Sequence, residues 1–164
     1  MSRTLVLGLG NPLMGDDGAG VAALNRLRDD WRVPDEVELV DGGTWGMNLL
    51  PLLESHDQVI LLDAIHTGAR PGTLVLLRRE ELPRYFAHKL SPHQLDLREV
   101  LALAELRDSL PETLMAIGVQ PETVELNARL SPRIGAAVRR MVALTVDQLE
   151  WLGHHCERRE LACA

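Results

Sequence analysis

Short apolar runs that stop abruptly at glycine or aspartate set the strongest limit on how this chain can fold. Residues 4–7 stop at Gly8-Leu9-Gly10, residues 37–40 at Asp41-Gly42-Gly43, and residues 59–62 at Asp63. Each run has strand length, and stretches of helical period lie between them. Val21, Leu24 and Leu27 fall on one face of a predicted helix over 18–29, and a shorter helix is predicted over 47–53 despite Pro51. A strand over 73–77 is entered through the turn pair Pro71-Gly72, and another is expected over 114–119. Ser91-Pro92-His93-Gln94 reads as a helix start running to about 107. Ser91 is the cap, Pro92 the first helical residue, and Gln94 the partner in a capping box. Ser131-Pro132 opens the last helix in the same way. Ile134, Val138, Met141, Val142, Thr145, Leu149 and Leu152 form its apolar stripe.

Strands that alternate with helices imply a mainly parallel sheet covered on both faces. The expectation is an α/β fold, a three-layer α/β/α sandwich with a twisted, mainly parallel central sheet. With 164 residues the chain fits one domain, placed at 1–152. The polar stretch 120–130 reads as a surface loop. Residues 153–164 have no apolar period and read as a flexible tail.

Composition narrows the function classes. Hydrophobic residues make up 46%, enough for a core, while aromatics at 3% force that core to be aliphatic. So few rings offer no stacking platform for single-stranded nucleic acid. A net charge of −7 also disfavours nucleic acid and anionic membrane surfaces as partners. The only cysteines, Cys156 and Cys163, lie in the last nine residues, where no disulfide could staple the core. The chain start carries no apolar stretch of a secretory signal, and no segment has the length of a membrane span. A soluble, cytoplasmic protein is expected.

In an open parallel sheet, functional groups collect beyond the carboxyl ends of the strands. Asp16 and Asp17 follow the first strand, Asp41 follows the second, and Asp63 ends the third. His93, in the first turn of its helix, can face the same edge. Two or three carboxylates with an imidazole suit a borderline divalent metal. Converging carboxylates can equally share a proton and activate water. Each residue also has a plainer role open to it: Asp16 and Asp17 as helix caps, Asp41 as a turn residue, His93 as a helix-end residue. Asp63 is the exception, because a carboxylate inside an apolar run must be paired, hydrogen-bonded or metal-bound. Gly8-Leu9-Gly10 falls short of a dinucleotide fingerprint, since Leu13 stands where the third glycine belongs.

Four segments, in order, resemble the motifs of hydrogenase maturation endopeptidases. They are Gly8-Leu9-Gly10-Asn11-Pro12-Leu13-Met14-Gly15-Asp16-Asp17-Gly18-Ala19-Gly20, Asp41-Gly42-Gly43-Thr44-Trp45-Gly46, Leu62-Asp63-Ala64 and Ser91-Pro92-His93-Gln94. The resemblance implies an endopeptidase that removes a C-terminal extension from the precursor of a nickel–iron hydrogenase large subunit. Cleavage would follow nickel insertion, with the precursor itself presenting the nickel. Carried over by motif, Asp17, Asp63 and His93 contact the metal and, with Asp41 as a substrate-contacting or catalytic acid, make up the catalytic site. Water would attack the scissile carbonyl either with Asp16, Asp41 or Asp63 as base or with the nickel polarising that carbonyl. Many family members have Glu where this chain has Asp17, which is one methylene shorter. The implied partner is the nickel-loaded precursor, met by a monomer.

Three other readings compete. The start Gly8-Leu9-Gly10-Asn11-Pro12 also resembles peptidyl-tRNA hydrolase. That family, however, places a Thr-Arg-His-Asn sequence where this chain has Gly15-Asp16-Asp17-Gly18. A nickel-binding assembly chaperone would use the same ligands without cutting. An inactive relative kept for interaction would have no need of the acids and His93. His154, His155, Cys156 and Cys163 could bind a metal in the tail, but a solvated tail is the simpler expectation.

Overall fold

The computed structural model describes residues 2–86 and 92–160, with the side chains of Pro92, His93 and Leu95 outside that description. Strand β1 (Thr4–Leu9) leads through a 3-10 turn, Gly15–Gly18, into helix α1 (Ala19–Asp30). A two-residue strand β2 (Trp31–Arg32) precedes β3 (Val37–Gly43) and the short α2 (Leu50–Glu54). Then come β4 (Gln58–Ala64), β5 (Leu74–Arg78), α3 (Leu82–Tyr85) and α4 (Pro92–Leu106). Strand β6 (Thr113–Val119), α5 (Pro132–Trp151) and β7 (Glu157–Arg158) complete the chain.

The main sheet has the order β3-β1-β4-β6-β5. Strands β3, β1, β4 and β6 run parallel, and β5 is antiparallel to β6. Period-two alternation divides the apolar residues between its two faces. Val6, Ile60, Leu62, Met115 and Ile117 turn to one side and pack with residues of α1 and α5. Leu5, Leu7, Val59, Leu61 and Leu114 turn to the other and pack with residues of α2, α3 and α4. The three-layer α/β arrangement expected from the sequence is therefore observed. Ile134, Val138, Met141, Val142, Val146 and Leu149 of α5 are all buried. Each such side chain contributes roughly 1.5–3 kcal/mol of hydrophobic stabilisation.

Helix α1 can lie this close to the sheet because Gly20 has no side chain. A Cβ there would stand 2.1 Å from the Leu62 carbonyl oxygen. The close approach draws the 3-10 turn onto the carboxyl ends of β1 and β4.

Two expectations are corrected by packing. The segment after Gly153, expected to be a loose tail, is docked as far as residue 160. Strand β7 pairs with β2, His154 Nε2 lies 2.7 Å from Thr4 Oγ1, and Cys156 is buried in the α1/α5 core. The segment holds by pairing and one buried thiol, neither of which gives an apolar period. With those contacts His154 and Cys156 are engaged in packing; Cys163 lies outside the described residues. Ser131, placed as a helix cap, makes no side-chain cap and spends its hydroxyl on Asp16 instead. Among the described residues, no helix is long and apolar enough to cross a membrane.

Candidate active site

Strand parity decides where Asp63 points. It follows Leu61 on the α3/α4 side of the sheet, at the carboxyl end of β4, and it is completely buried. A carboxylate in that position needs donors. Oδ1 accepts the Ala64 backbone N–H at 2.8 Å, and Oδ2 accepts the Tyr85 hydroxyl. Gln94 Nε2 lies 3.5 Å from the same Oδ2 and donates to the Ala64 carbonyl at 3.2 Å. Gln94 was expected as half of a capping box; its amide instead reaches across to β4, while the cap residue Ser91 lies outside the described residues. Helix α4 is thus fastened to the site by its first turn.

Tyr85 was not singled out by the sequence analysis. It lies outside all four motifs, at the end of α3. One signal was available: it is the chain's only tyrosine, and a buried phenol requires a polar partner. Burial first, then the charge of Asp63, their hydrogen bond and the charge of Asp17, push its hydroxyl well above the ordinary tyrosine range. Tyr85 therefore keeps its proton and acts as a donor. The Asp17 charge adds the smallest part of that push.

Asp17 sits in the 3-10 turn, 6% exposed, with Oδ2 accepting the Asn11 backbone N–H at 2.9 Å. Gly10 makes the arrangement possible. Its φ of +114° is open chiefly to glycine, and a Cβ there would lie 1.8 Å from the Asp17 carbonyl oxygen and 3.5 Å from Asp63 Oδ1. Any side chain there would collide with the Asp17 backbone, so the glycine lets the turn that carries Asp17 pack directly on the end of β1, beside Asp63.

Asp16 faces elsewhere. Oδ2 accepts the backbone N–H groups of Glu122 and Thr123 and the Ser131 hydroxyl, all at 2.9 Å, and Oδ1 accepts the Ser131 N–H at 2.7 Å. This carboxylate is a latch between the first motif and the loop before α5, which removes it from the candidate bases. Neither Asp16 nor Asp17 caps α1, whose cap residue Gly18 makes no side-chain bond.

Asp41 lies on the same edge but is exposed. Its Oδ1 accepts the Gly43 N–H at 3.0 Å, as a turn residue would. The Gly43 carbonyl in turn accepts the Gly10 N–H at 3.1 Å, which ties this turn to the first motif. Asp41 Oδ2 has no partner among the described residues. The backbone of His93 is in the first turn of α4, and its side chain lies outside the described residues.

Asp17 and Asp63 are brought together at Gly10, and Gln94 ties the first turn of α4 to Asp63. Among the described residues no group of three or more His, Cys, Asp or Glu side chains that could hold a metal ion is assembled.

A family model described as hydrogenase maturation protease matches residues 21–148. The hydrogenase 2 maturation protease of Escherichia coli K12 is 42% identical over 137 residues, covering 83% of this chain and 84% of that protein. The hydrogenase expression/formation protein HupD of Rhodobacter capsulatus is 38% identical, covering 92% of this chain and 73% of its own length. The solved structure of the hydrogenase maturating endopeptidase HybD from E. coli superimposes with a TM-score of 0.91 at 38% identity, over 96% of this chain and 98% of that one.

Proposed function

This chain belongs to the hydrogenase maturation protease family, and on that premise we propose that it removes the C-terminal extension of a nickel–iron hydrogenase large-subunit precursor after nickel insertion. The observation that supports the reading is the juxtaposition of Asp17 and Asp63 at the carboxyl edge of the sheet, with the first turn of α4 tied to Asp63 through Gln94. Nickel arrives as part of the substrate. Asp17, Asp63 and His93 complete its coordination, so only a loaded precursor is held in register for cutting. The proposed encounter is between a monomer and its precursor.

Donors reach both oxygens of Asp63, which suits a fixed ligand. Asp41 suits a base: it is exposed on the same edge and keeps one oxygen without a partner among the described residues. In the proposed step, water attacks the scissile carbonyl, Asp41 accepts its proton, and the substrate's nickel polarises the carbonyl oxygen. The proton then passes to the leaving amine, giving a new carboxyl terminus and a free peptide.

Mass spectrometry of a nickel-loaded precursor incubated with the protein tests the reading. Loss of one C-terminal peptide, absent with nickel-free precursor, is expected. An uncut but tightly bound precursor would instead indicate a nickel-binding chaperone.

A further inference from the structure

Seven large hydrophobic side chains are exposed among the described residues, and five of them stand on one edge of the sheet: Leu13, Trp45, Met47, Val124 and Leu126. The topology explains this placement. Strands β1, β3 and β6 are parallel, so the loops that follow them leave from the same end. Leu13 is on the first loop, Trp45 and Met47 on the second, Val124 and Leu126 on the third. The remaining two, Leu106 and Trp151, end helices that run back to the opposite edge, and the Arg78 guanidinium stacks on the Trp151 ring at 4.8 Å.

The three loops are joined into one rim. The Asn127 N–H donates to the Leu13 carbonyl at 2.9 Å, linking third loop to first, and the Gly10–Gly43 bond links first to second. The second loop also touches α4, since a Cβ on Gly46 would lie 3.2 Å from Asp96 Oδ2. The rim therefore adjoins the buried acids: its first loop carries Asp17, and Gly10 on that loop packs against Asp63 Oδ1. Leu126 is 84% exposed, Leu13 60% and Trp45 52%, a concentration of apolar surface typical of a docking site.

We propose that this rim is the docking surface for the folded body of the precursor, an apolar patch beside the scissile segment fringed by basic side chains. The proposal rests on the processing reading above and adds how the substrate is held. Two observations specify the occupant. Leu13 of the rim and Asp17 share the segment after β1, so whatever covers the rim brings its adjoining chain beside the acids. Asp41 and Glu125, both exposed and without an ion-pair partner among the described residues, favour arginine or lysine on the facing surface.

The test uses the full chain with the variants Trp45→Glu and Leu126→Glu, neither of which is in the acid pocket. The probe is the nickel-loaded large-subunit precursor from the same organism. Its binding is followed by biolayer interferometry, its cleavage by mass spectrometry, and thermal midpoints report folding. Each variant is expected to weaken binding at least about ten-fold, the effect of losing one well-packed anchor. The thermal midpoint should stay unchanged, and KM should rise while kcat is retained. Wild-type affinity in both variants overturns the docking surface, even where wild-type protein cleaves normally. A wild-type chain that binds but does not cut overturns the processing reading while the binding measurement still decides the rim. A self-association of the free chain that both variants abolish, with precursor binding intact, assigns the rim to a second copy and also overturns the proposal.

Discussion

The Tyr85 hydroxyl donates to Oδ2 of Asp63 with both side chains cut off from solvent. Three donors from three elements meet on this one carboxylate: β4 through Ala64, α3 through Tyr85 and α4 through Gln94. A group so restrained is held in place before substrate arrives, which is the condition for contributing to a reaction without reorganisation.

Tyr85→Phe removes one of those donors and keeps the ring in place. Processing of the nickel-loaded precursor is expected to fall about ten-fold or more, by analogy with loss of a positioned charge-assisted hydrogen bond. The deficit should appear in single-turnover cleavage rate, with precursor binding near wild type. Undiminished turnover would reduce Tyr85 to a core residue.

Asp63→Asn and His93→Ala are each expected to abolish cleavage measured by loss of the C-terminal peptide. Asp41→Asn tests the base separately: if it is the proton acceptor, kcat drops by about two orders of magnitude or more while precursor affinity holds. Full activity in that variant leaves Asp41 as a turn residue only.

Tyr85 also makes stability depend on alkaline pH. Its folded-state pKa is raised, chiefly by burial and then by the charge of Asp63. Its contribution is whole below the unfolded value of about 10 and is lost as pH climbs toward the folded value. Because the chain holds a single tyrosine, the phenolate ultraviolet band reports this one group. The band should grow in only with unfolding, and Tyr85→Phe should flatten the loss of stability above that pH. A phenolate signal in the folded protein near pH 10 would contradict the buried hydrogen bond.

Asp16→Ala removes an acceptor serving four bonds. Unfolding free energy in urea is expected to drop by about 3 kcal/mol, since bonds to a charged group contribute roughly 1.5–3 kcal/mol each and do not add fully. A change under about 0.5 kcal/mol, the scale of an ordinary surface substitution, would show the latch to be idle.

Gly20→Ala sets a methyl group 2.1 Å from the Leu62 carbonyl oxygen. Backbone cannot yield there as a flexible side chain could, so a loss of about 3 kcal/mol or failure to fold is expected. A thermal midpoint equal to wild type would mean that α1 shifts outward at little cost.

The sheet and its covering helices were legible in the sequence because their signals are local: apolar runs, their punctuation, and the stripe of α5. The carboxyl-edge placement of Asp17 and Asp63 followed from parallel strands alone. Other features could not be read so. Asp16 and Asp17 are adjacent in sequence, yet one serves a distant loop and the other the pocket, a division set by side-chain direction in a 3-10 turn. Tyr85 reaches Asp63 across 22 positions from a four-residue helix with no periodic pattern. Residues 153–160 carry no apolar period, and what holds them is pairing with β2, the His154–Thr4 contact and the buried Cys156, which only the folded chain supplies.

The Asp16 ties span 106 to 115 residues of sequence. Contacts that distant close late, because ordering the intervening chain must come first. On a ribosome, Asp16 emerges early but its partners at Glu122, Thr123 and Ser131 follow only more than a hundred residues later. The edge that carries the acids is thus completed only after residue 131 has been made. A protease that finishes assembling its cutting edge last has little opportunity to act while still a nascent chain.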